Sequence, residues 1–269
     1  MEHRFAKRSL GQNFLVDRNV VEKIISALSP TAADIILEIG PGRGALTAHL
    51  IERSKVVYAL EFDTELVLGL RERFAESNNI LVIEDDALSF DFRRLKESST
   101  QLRLVANLPY NISTAILQRL VEYVDVFSDS VLMFHREVLD RITAEPGTKD
   151  RGYLTVKTEA YFKCERLFDV PPSAFRPVPK VWSSVVRLVP KMVLPDHPES
   201  FDDLLSHAFV HKRKTIYNNL KLWRSDIGGI LSQIGISADR RAETLTLDEW
   251  IQLGSALHLQ ADNPEKNAN

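Results

Sequence analysis

The sequence predicts an open, largely parallel α/β sheet followed by a small all-helical domain. Short apolar runs (Asp34 to Ile39, Val56 to Leu60, Ile80 to Ile83, Arg103 to Ala106 and Ser130 to Phe134) alternate with segments of helical period. The first four of these runs end in Gly40, Glu61, Asp86 and Asn107, at the carboxyl ends of the strands, where open α/β sheets hold their ligands. From Phe201 onward apolar residues recur only at helical spacing.

With 269 residues, 44% hydrophobic and 26% charged, the chain can bury one large core and a smaller second one. The net charge of -3 carries no global basic signature, so a nucleic-acid partner must be held by local cationic patches. The single cysteine, Cys164, rules out an internal disulfide and a Cys-rich metal site, and fits a reducing cytoplasm. No apolar run approaches the roughly 20 residues that span a bilayer, so no membrane partner is expected. The stretch MEHRFAKRSLGQNF is basic without an apolar segment, and no secretory signal is expected there.

The elements follow in order. After the basic residues Arg4, Lys7 and Arg8 and the stretch Gln12-Asn13-Phe14-Leu15, a helix is predicted through Val20, Val21, Ile24, Ile25 and Leu28, stopping at Pro30. The first strand then runs into Gly40-Pro41-Gly42-Arg43-Gly44. Its glycines permit a tight turn and close approach of a ligand to the backbone, and a helix N-terminus beyond it offers free N–H groups. The spacing is G-x-G-x-G, not the G-x-G-x-x-G of dinucleotide sites. Glu61 ends the second strand about 20 residues later, where an acidic residue accepts hydrogen bonds from ribose hydroxyls. Asp63 reads as a helix cap. At the tip of the third strand, one carboxylate of Glu84-Asp85-Asp86 is placed to take the amino group of an adenine, while Glu84 and Asp85 also fit a solvated acidic turn.

The fourth strand leads into Asn107-Leu108-Pro109-Tyr110, a polar elbow before a helix from Ile112 to Leu120. The Asn107 amide both donates and accepts, Pro109 fixes its own φ and holds Leu108 extended, and Tyr110 offers a flat face. These groups suit a planar base carrying an exocyclic amine. Ser113 or Asn111 is expected to cap the helix. A helix over Arg136 to Ile142 and a loop around Pro146-Gly147 come next, then strands expected at Leu154 to Phe162 and Trp182 to Leu188. Between these strands, four prolines surround Phe175, which is either an aromatic presented at the surface or one packed under its own loop. Pro190 to Ser200 reads as a linker, and His211-Lys212-Arg213-Lys214 is the most basic stretch, either a solvated face or a grip on phosphates. The last residues, from Ala261, have a disordered composition.

These motifs resemble the small-subunit ribosomal RNA adenine dimethyltransferases, the KsgA type. The resemblance rests on Leu10-Gly11-Gln12-Asn13-Phe14-Leu15, Glu38 to Thr47, Glu61-Phe62-Asp63, Asp86-Ala87-Leu88, Asn107 to Ser113, Phe175 to Val181, Arg213-Lys214-Thr215 and Asn218-Asn219-Leu220, in family order. Asp85 and His135-Arg136-Glu137 depart from the family pattern, without removing a group the chemistry requires. The resemblance implies a Rossmann-like class I S-adenosylmethionine-dependent methyltransferase sheet over residues 1–192, with a helical rRNA-binding domain over 193–269. It implies S-adenosylmethionine as cofactor, with Asn13 and Leu15 closing over it, Gly40 and Gly42 passing its methionine moiety, Glu61 holding the ribose, Asp86 the adenine amine, and Asn107 linking cofactor to target base. Asn107, Pro109, Tyr110 and Phe175 are expected to carry the chemistry, Tyr110 and Phe175 stacking on the two faces of the base. The expected partner of this monomeric, cytoplasmic enzyme is small-subunit rRNA in a pre-ribosomal particle. The macrolide-resistance type of large-subunit rRNA adenine methyltransferase shares sheet and elbow. An assembly factor whose main role is RNA binding is the other alternative.

Overall fold

The computed structural model describes residues 12–96 and 101–261. Arg4, Lys7 and Arg8 lie outside the described residues. The described residues up to Leu139 form one compact unit with Lys163–Pro190. Asp140–Phe162 and the described residues from Lys191 onward form another.

The first unit opens with β1 (Phe14–Leu15) and α1 (Arg18–Leu28), followed by β2 (Ile35–Ile39), α2 (Thr47–Ile51), β3 (Val56–Glu61), α3 (Thr64–Arg73), β4 (Ile80–Glu84), β5 (Leu102–Asn107), α4 (Ser113–Glu122), β6 (Phe127–His135) and the start of α5 (Arg136–Ile142). It resumes with β7 (Phe162–Val170), β8 (Phe175–Arg176) and β9 (Ser183–Pro190). Seven strands form one sheet in the order β4-β3-β2-β5-β6-β9-β7. The pairs from β4 to β6 are parallel, and β9 joins β6 antiparallel. The chain winds outward from β2 to β4, then crosses back to β5. The crevice between β2 and β5 is therefore the point where the winding reverses, a ligand position in open α/β sheets.

The strands are where the apolar runs put them because both faces of the sheet are covered. Every residue of β2 is buried, as expected of a central parallel strand. On one face lies α1. Asp17 caps it by accepting from the N–H groups of Asn19 (2.9 Å) and Val20 (3.3 Å). Its stripe Val20, Val21, Ile24, Ile25 and Leu28 packs into the same cluster as Val105, Val131 and Met133. Arg103 in β5 ties the amino ends of the strands together, donating to Asp129 at 2.7 Å and to Asp34 at 2.9 Å.

The stretch expected as a strand over Leu154 to Phe162 is instead α6 (Tyr153–Tyr161), and it groups with the helical unit rather than with the sheet. Its threonines raise β-propensity but find partners that suit a helix. Thr155 accepts from the Gly152 N–H (3.0 Å) and donates to the Arg141 carbonyl (2.7 Å), and Thr158 donates back to the Leu154 carbonyl (2.7 Å). The strand lies one step later, as β7, whose mostly half-exposed residues give no apolar run to read. The second unit is completed by α7 (Pro198–Ala208), α8 (Ile216–Leu220), α9 (Ile227–Gln233) and α10 (Leu247–Ala261), around buried Trp250, Phe201, Leu204, Leu220 and Ile230. No helix among the described residues is long and apolar enough to cross a membrane.

Candidate active site

At the carboxyl ends of β2 to β5 the first unit holds a cavity of about 490 Å³. Asn13, Leu15, Gly40, Gly42, Glu61, Asp86, Asn107, Pro109 and Tyr110 all line it. Parallel pairing brings Gly40, Glu61, Asp86 and Asn107 together, since each lies at or near a strand end on the same edge of the sheet, while Asn13 and Leu15 come from the tail at β1, which pairs with β8 outside that sheet.

The glycine loop is shaped by its own backbone. Gly42 sits at φ 58°, a left-handed conformation that favours glycine. A Cβ there would lie 3.1 Å from the Phe14 ring. The Gly42 N–H donates to Glu61 Oε2 at 3.1 Å, while Oε1 of Glu61 accepts from the N–H groups of Phe62 and Asp63, both at 3.0 Å. Burial pushes the Glu61 pKa up, and these three backbone donors pull against the rise. The carboxylate is thus aimed and anchored at the tip of β3, with lone pairs left for further donors. Asp63 caps α3 through the Glu65 N–H (3.1 Å) and accepts from Gln12 Nε2 (2.9 Å). After β4, Asp86 Oδ1 accepts from the Leu88 N–H (2.9 Å), which fixes the turn that presents it.

In the elbow, Asn107 Nδ2 donates to the Asn13 carbonyl at 3.3 Å. This contact occupies the nitrogen end of the amide and leaves Oδ1 for a donor. The Pro109 carbonyl accepts from the Ile112 N–H at 3.2 Å. The expected cap does not form. Ile112 is the N-cap of α4 without a side-chain bond, and Ser113 is buried, donating instead to the Tyr110 carbonyl (3.1 Å). That bond holds the backbone of the elbow against the helix. The Tyr110 hydroxyl pairs with Ser183 Oγ at 2.8 Å, and its ring meets the His135 ring edge-on at 5.2 Å. Burial raises the Tyr110 pKa, so the phenol stays protonated.

Phe175 is not brought to the cavity. It is 1% exposed, pairs with Leu15 across the two-stranded β1–β8 sheet and packs in the core with Val170 and Ala174. The surface-presented ring expected there is corrected: Phe175 packs in the core and does not line the cavity. Leu15, in turn, is held from both sides, because the next residues, Val16 and Asp17, donate to the Ala174 carbonyl (2.9 and 3.3 Å).

Sequence reasoning missed three residues at the site. Glu38, in the middle of buried β2, lines the cavity and accepts from Thr47 Oγ1 at 2.6 Å. Desolvation raises its pKa to about 7, against the lowering effect of Thr47, and the charge of Glu61 raises it further. A carboxylate within an otherwise apolar strand was the available signal. Phe62, 59% exposed, adds an aromatic surface to the lining. Arg43 stacks over the Phe14 ring at 4.4 Å and so covers the glycine loop.

Known proteins are similar to this chain. A family model described as ribosomal RNA adenine dimethylase matches residues 3–258. Ribosomal RNA small subunit methyltransferase A of Saccharophagus degradans is 40% identical over 260 residues, covering 96% of each chain. Among solved structures, a dimethyladenosine transferase from Plasmodium falciparum is similar with TM-score 0.78 at 25% identity, over 92% of this chain and 98% of that one. The 23S rRNA methyltransferase ErmE is similar with TM-score 0.70 at 25% identity, over 91% of this chain and all of that one. With sheet, glycine loop, strand-end acids and Asn-Leu-Pro-Tyr elbow in one unit, the chain belongs to the ribosomal RNA adenine dimethylase family, S-adenosylmethionine-dependent enzymes that methylate adenine in ribosomal RNA.

Proposed function

We propose that the enzyme dimethylates N6 of two adjacent adenines in a 3′-terminal hairpin loop of small-subunit (16S) rRNA, as a monomer in the cytoplasm, acting on a pre-ribosomal particle during small-subunit biogenesis. The observation that carries this reading is the single cavity that joins Gly42, Glu61 and Asp86 to Asn107 and Tyr110. The small-subunit target is supported by the 40% identity to a small-subunit methyltransferase. The large-subunit enzyme ErmE is 25% identical.

The residues fit the cofactor. Gly42 lacks the Cβ that would crowd the loop, and the anchored Glu61 carboxylate is an acceptor for a ribose diol. Asp86 is an acceptor for an adenine amine, and Phe62 offers its exposed ring as an apolar wall. Leu15, paired with β8, and Asn13, which precedes β1, close the site from the tail. When bound, S-adenosylmethionine supplies an electrophilic methyl whose leaving group is a neutral thioether, so no acid is asked of the protein.

The protein's task lies with the nucleophile. The N6 lone pair of adenine is delocalised into its ring. Asn107 Oδ1, turned free by the bond of Nδ2 to Asn13, accepts one N6–H. The Pro109 carbonyl is engaged with Ile112, so the elbow carbonyl left for the second contact is that of Leu108. These bonds favour a pyramidal nitrogen and strengthen as positive charge develops there, so they stabilise the transition state more than the ground state. Tyr110, pinned by Ser183 and His135, stacks on a base that has left its own helix, worth about 1–3 kcal/mol. Its alignment with the methyl supplies much of the remaining acceleration.

Primer extension across small-subunit rRNA tests the assignment. Stops at two adjacent adenines are expected in the parent strain. They should vanish on deletion of the gene and return with the wild-type chain but not with Asn107→Ala. Stops that persist in the deletion strain would overturn it.

A further inference from the structure

Tyr110 lines the cavity, but the two side chains that hold it do not. Ser183 opens β9 and is fully buried, and its Oγ pairs with the Tyr110 hydroxyl at 2.8 Å. His135 ends β6, and its ring meets the Tyr110 ring edge-on at 5.2 Å. The two residues are partners across the β6–β9 pair, so strand alternation puts both side chains on one face of the sheet. It is the face of Met133 and Val185, their next-but-one neighbours in β6 and β9, which pack in the core cluster with α1. One cross-strand pair therefore clasps Tyr110 at its hydroxyl and at its ring without lining the cavity.

The clasp is asymmetric in charge. A serine hydroxyl stays neutral, whereas histidine is the side chain that changes charge between pH 5 and 8. Among the described residues, the titratable groups beside His135 are Tyr110 on the elbow and Glu137 on α5, since β9 presents Ser183. Burial keeps Tyr110 a neutral phenol. Glu137 Oε2 stands 4.0 Å from Nδ1 of His135 but is 83% exposed, and a solvated carboxylate offsets little of a charge. The His135 side chain is only 16% exposed, so a charge on it is weakly screened. We propose that His135 is a charge-sensitive positioning residue. As a neutral imidazole it sets the Tyr110 ring against the target base, and as an imidazolium it opposes the positive charge that develops on the base during methyl transfer. This rests on the reading of Tyr110 as the ring on which the base stacks. The reaction asks for no proton donor, so an imidazolium there has a charge to oppose and no proton to give.

The test is single-turnover methyl transfer to unmethylated small ribosomal subunits at saturating S-adenosylmethionine, from pH 8 to pH 5.5. The wild-type rate is expected to fall about fivefold over that range, the effect of a full charge on a partial one at an effective dielectric of about 20. His135→Ala should lower the rate at pH 8 about fivefold through loss of the edge contact. His135→Phe, which keeps an aromatic edge against Tyr110, should rescue most of that loss and flatten the decline toward pH 5.5. Ser183→Ala should lower the rate and keep the decline. Cofactor affinity at pH 8 should match wild type in all three variants, since neither residue lines the cavity, and this also certifies the fold. A decline in His135→Phe as steep as in wild type, no decline in wild type, or a wild-type rate for His135→Ala at pH 8 would overturn the assignment. Large subunits are assayed in parallel. Methylation of large and not small subunits would overturn the proposed target, and the same comparison of rates, made on large subunits, then decides His135.

Discussion

Two carboxylates under the glycine loop do different work because their surroundings differ. Glu61 ends a strand and collects three backbone donors. It was legible in sequence because an acidic residue closing an apolar run has few other uses. Replacing it with Ala should weaken S-adenosylmethionine binding by about 1–3 kcal/mol, measured by calorimetry on folded protein. Unchanged affinity would remove it from the site. Glu38 was not legible as a site residue, since a sequence does not say that one residue inside a strand is fully desolvated. Its pKa of about 7 lies above the value it has unfolded. Between about pH 4.5 and 7 the folded chain therefore binds more protons than the unfolded one, and this group's contribution falls as pH rises through that window. Glu38→Gln keeps an acceptor for Thr47 and removes the titration. The variant should match wild type near pH 5 and exceed it at pH 8, by an amount of order 3 kcal/mol in denaturant unfolding. A difference independent of pH would refute the assignment. Tyr110→Ala, by contrast, should slow methyl transfer strongly in single-turnover assays with cofactor affinity nearly intact, because in the proposed function the ring faces the base rather than the cofactor. Normal transfer would exclude Tyr110.

At the scale of elements, period and punctuation were sufficient wherever burial was uniform. The central parallel strands and α1 were readable because both faces of the sheet are covered there, and edge strand β4, where only Val82 is buried, was readable from its apolar run alone. The failures share a cause: α6 carries β-branched residues whose hydroxyls are satisfied within the helix and by the Arg141 carbonyl of α5, and β7 has too little apolar surface to announce a strand. The Phe175 loop failed differently. Prolines told that it was stiff, not which way it turned. Because Phe175 pairs with Leu15 and fills the core, Phe175→Ala should destabilise the first unit by about 3–5 kcal/mol and loosen the tail segment that closes the cavity. Denaturant melts should show the loss, and cofactor affinity should fall with it at a temperature where the variant is still folded. A stable variant with unaltered melts would mean that Phe175 is not the anchor of β1.

For the whole molecule, the question is how a chain of net charge -3 holds RNA. Lys212, Arg213 and Lys214 are all exposed, in a turn of the helical unit just before α8. The turn is built to keep its shape. Lys214 N–H donates to the His211 carbonyl at 3.0 Å. Buried Asn219 grips both ends of the His211 backbone, accepting from its N–H at 3.3 Å and donating to its carbonyl at 3.2 Å. Thr215 caps α8 through the Asn218 N–H at 3.3 Å. The motif residues Thr215, Asn218 and Asn219 are thus the scaffold of the basic turn, a link that sequence spacing could not supply. A merely solvated run needs no such scaffold, which favours the phosphate grip. Each neutralised phosphate contributes about 0.7–0.9 to the salt slope. Replacing Lys212, Arg213 and Lys214 by Ala should therefore raise the dissociation constant for small-subunit particles and flatten its salt dependence by about 2. Cofactor affinity should not change, since every residue lining the cavity belongs to the other unit. Asn219→Ala, with all three charges retained, should weaken particle binding while leaving the slope nearly intact, because it unsets the turn without removing a cation. Binding of the triple variant that matches wild type across a salt series would leave the turn as ordinary solvated surface.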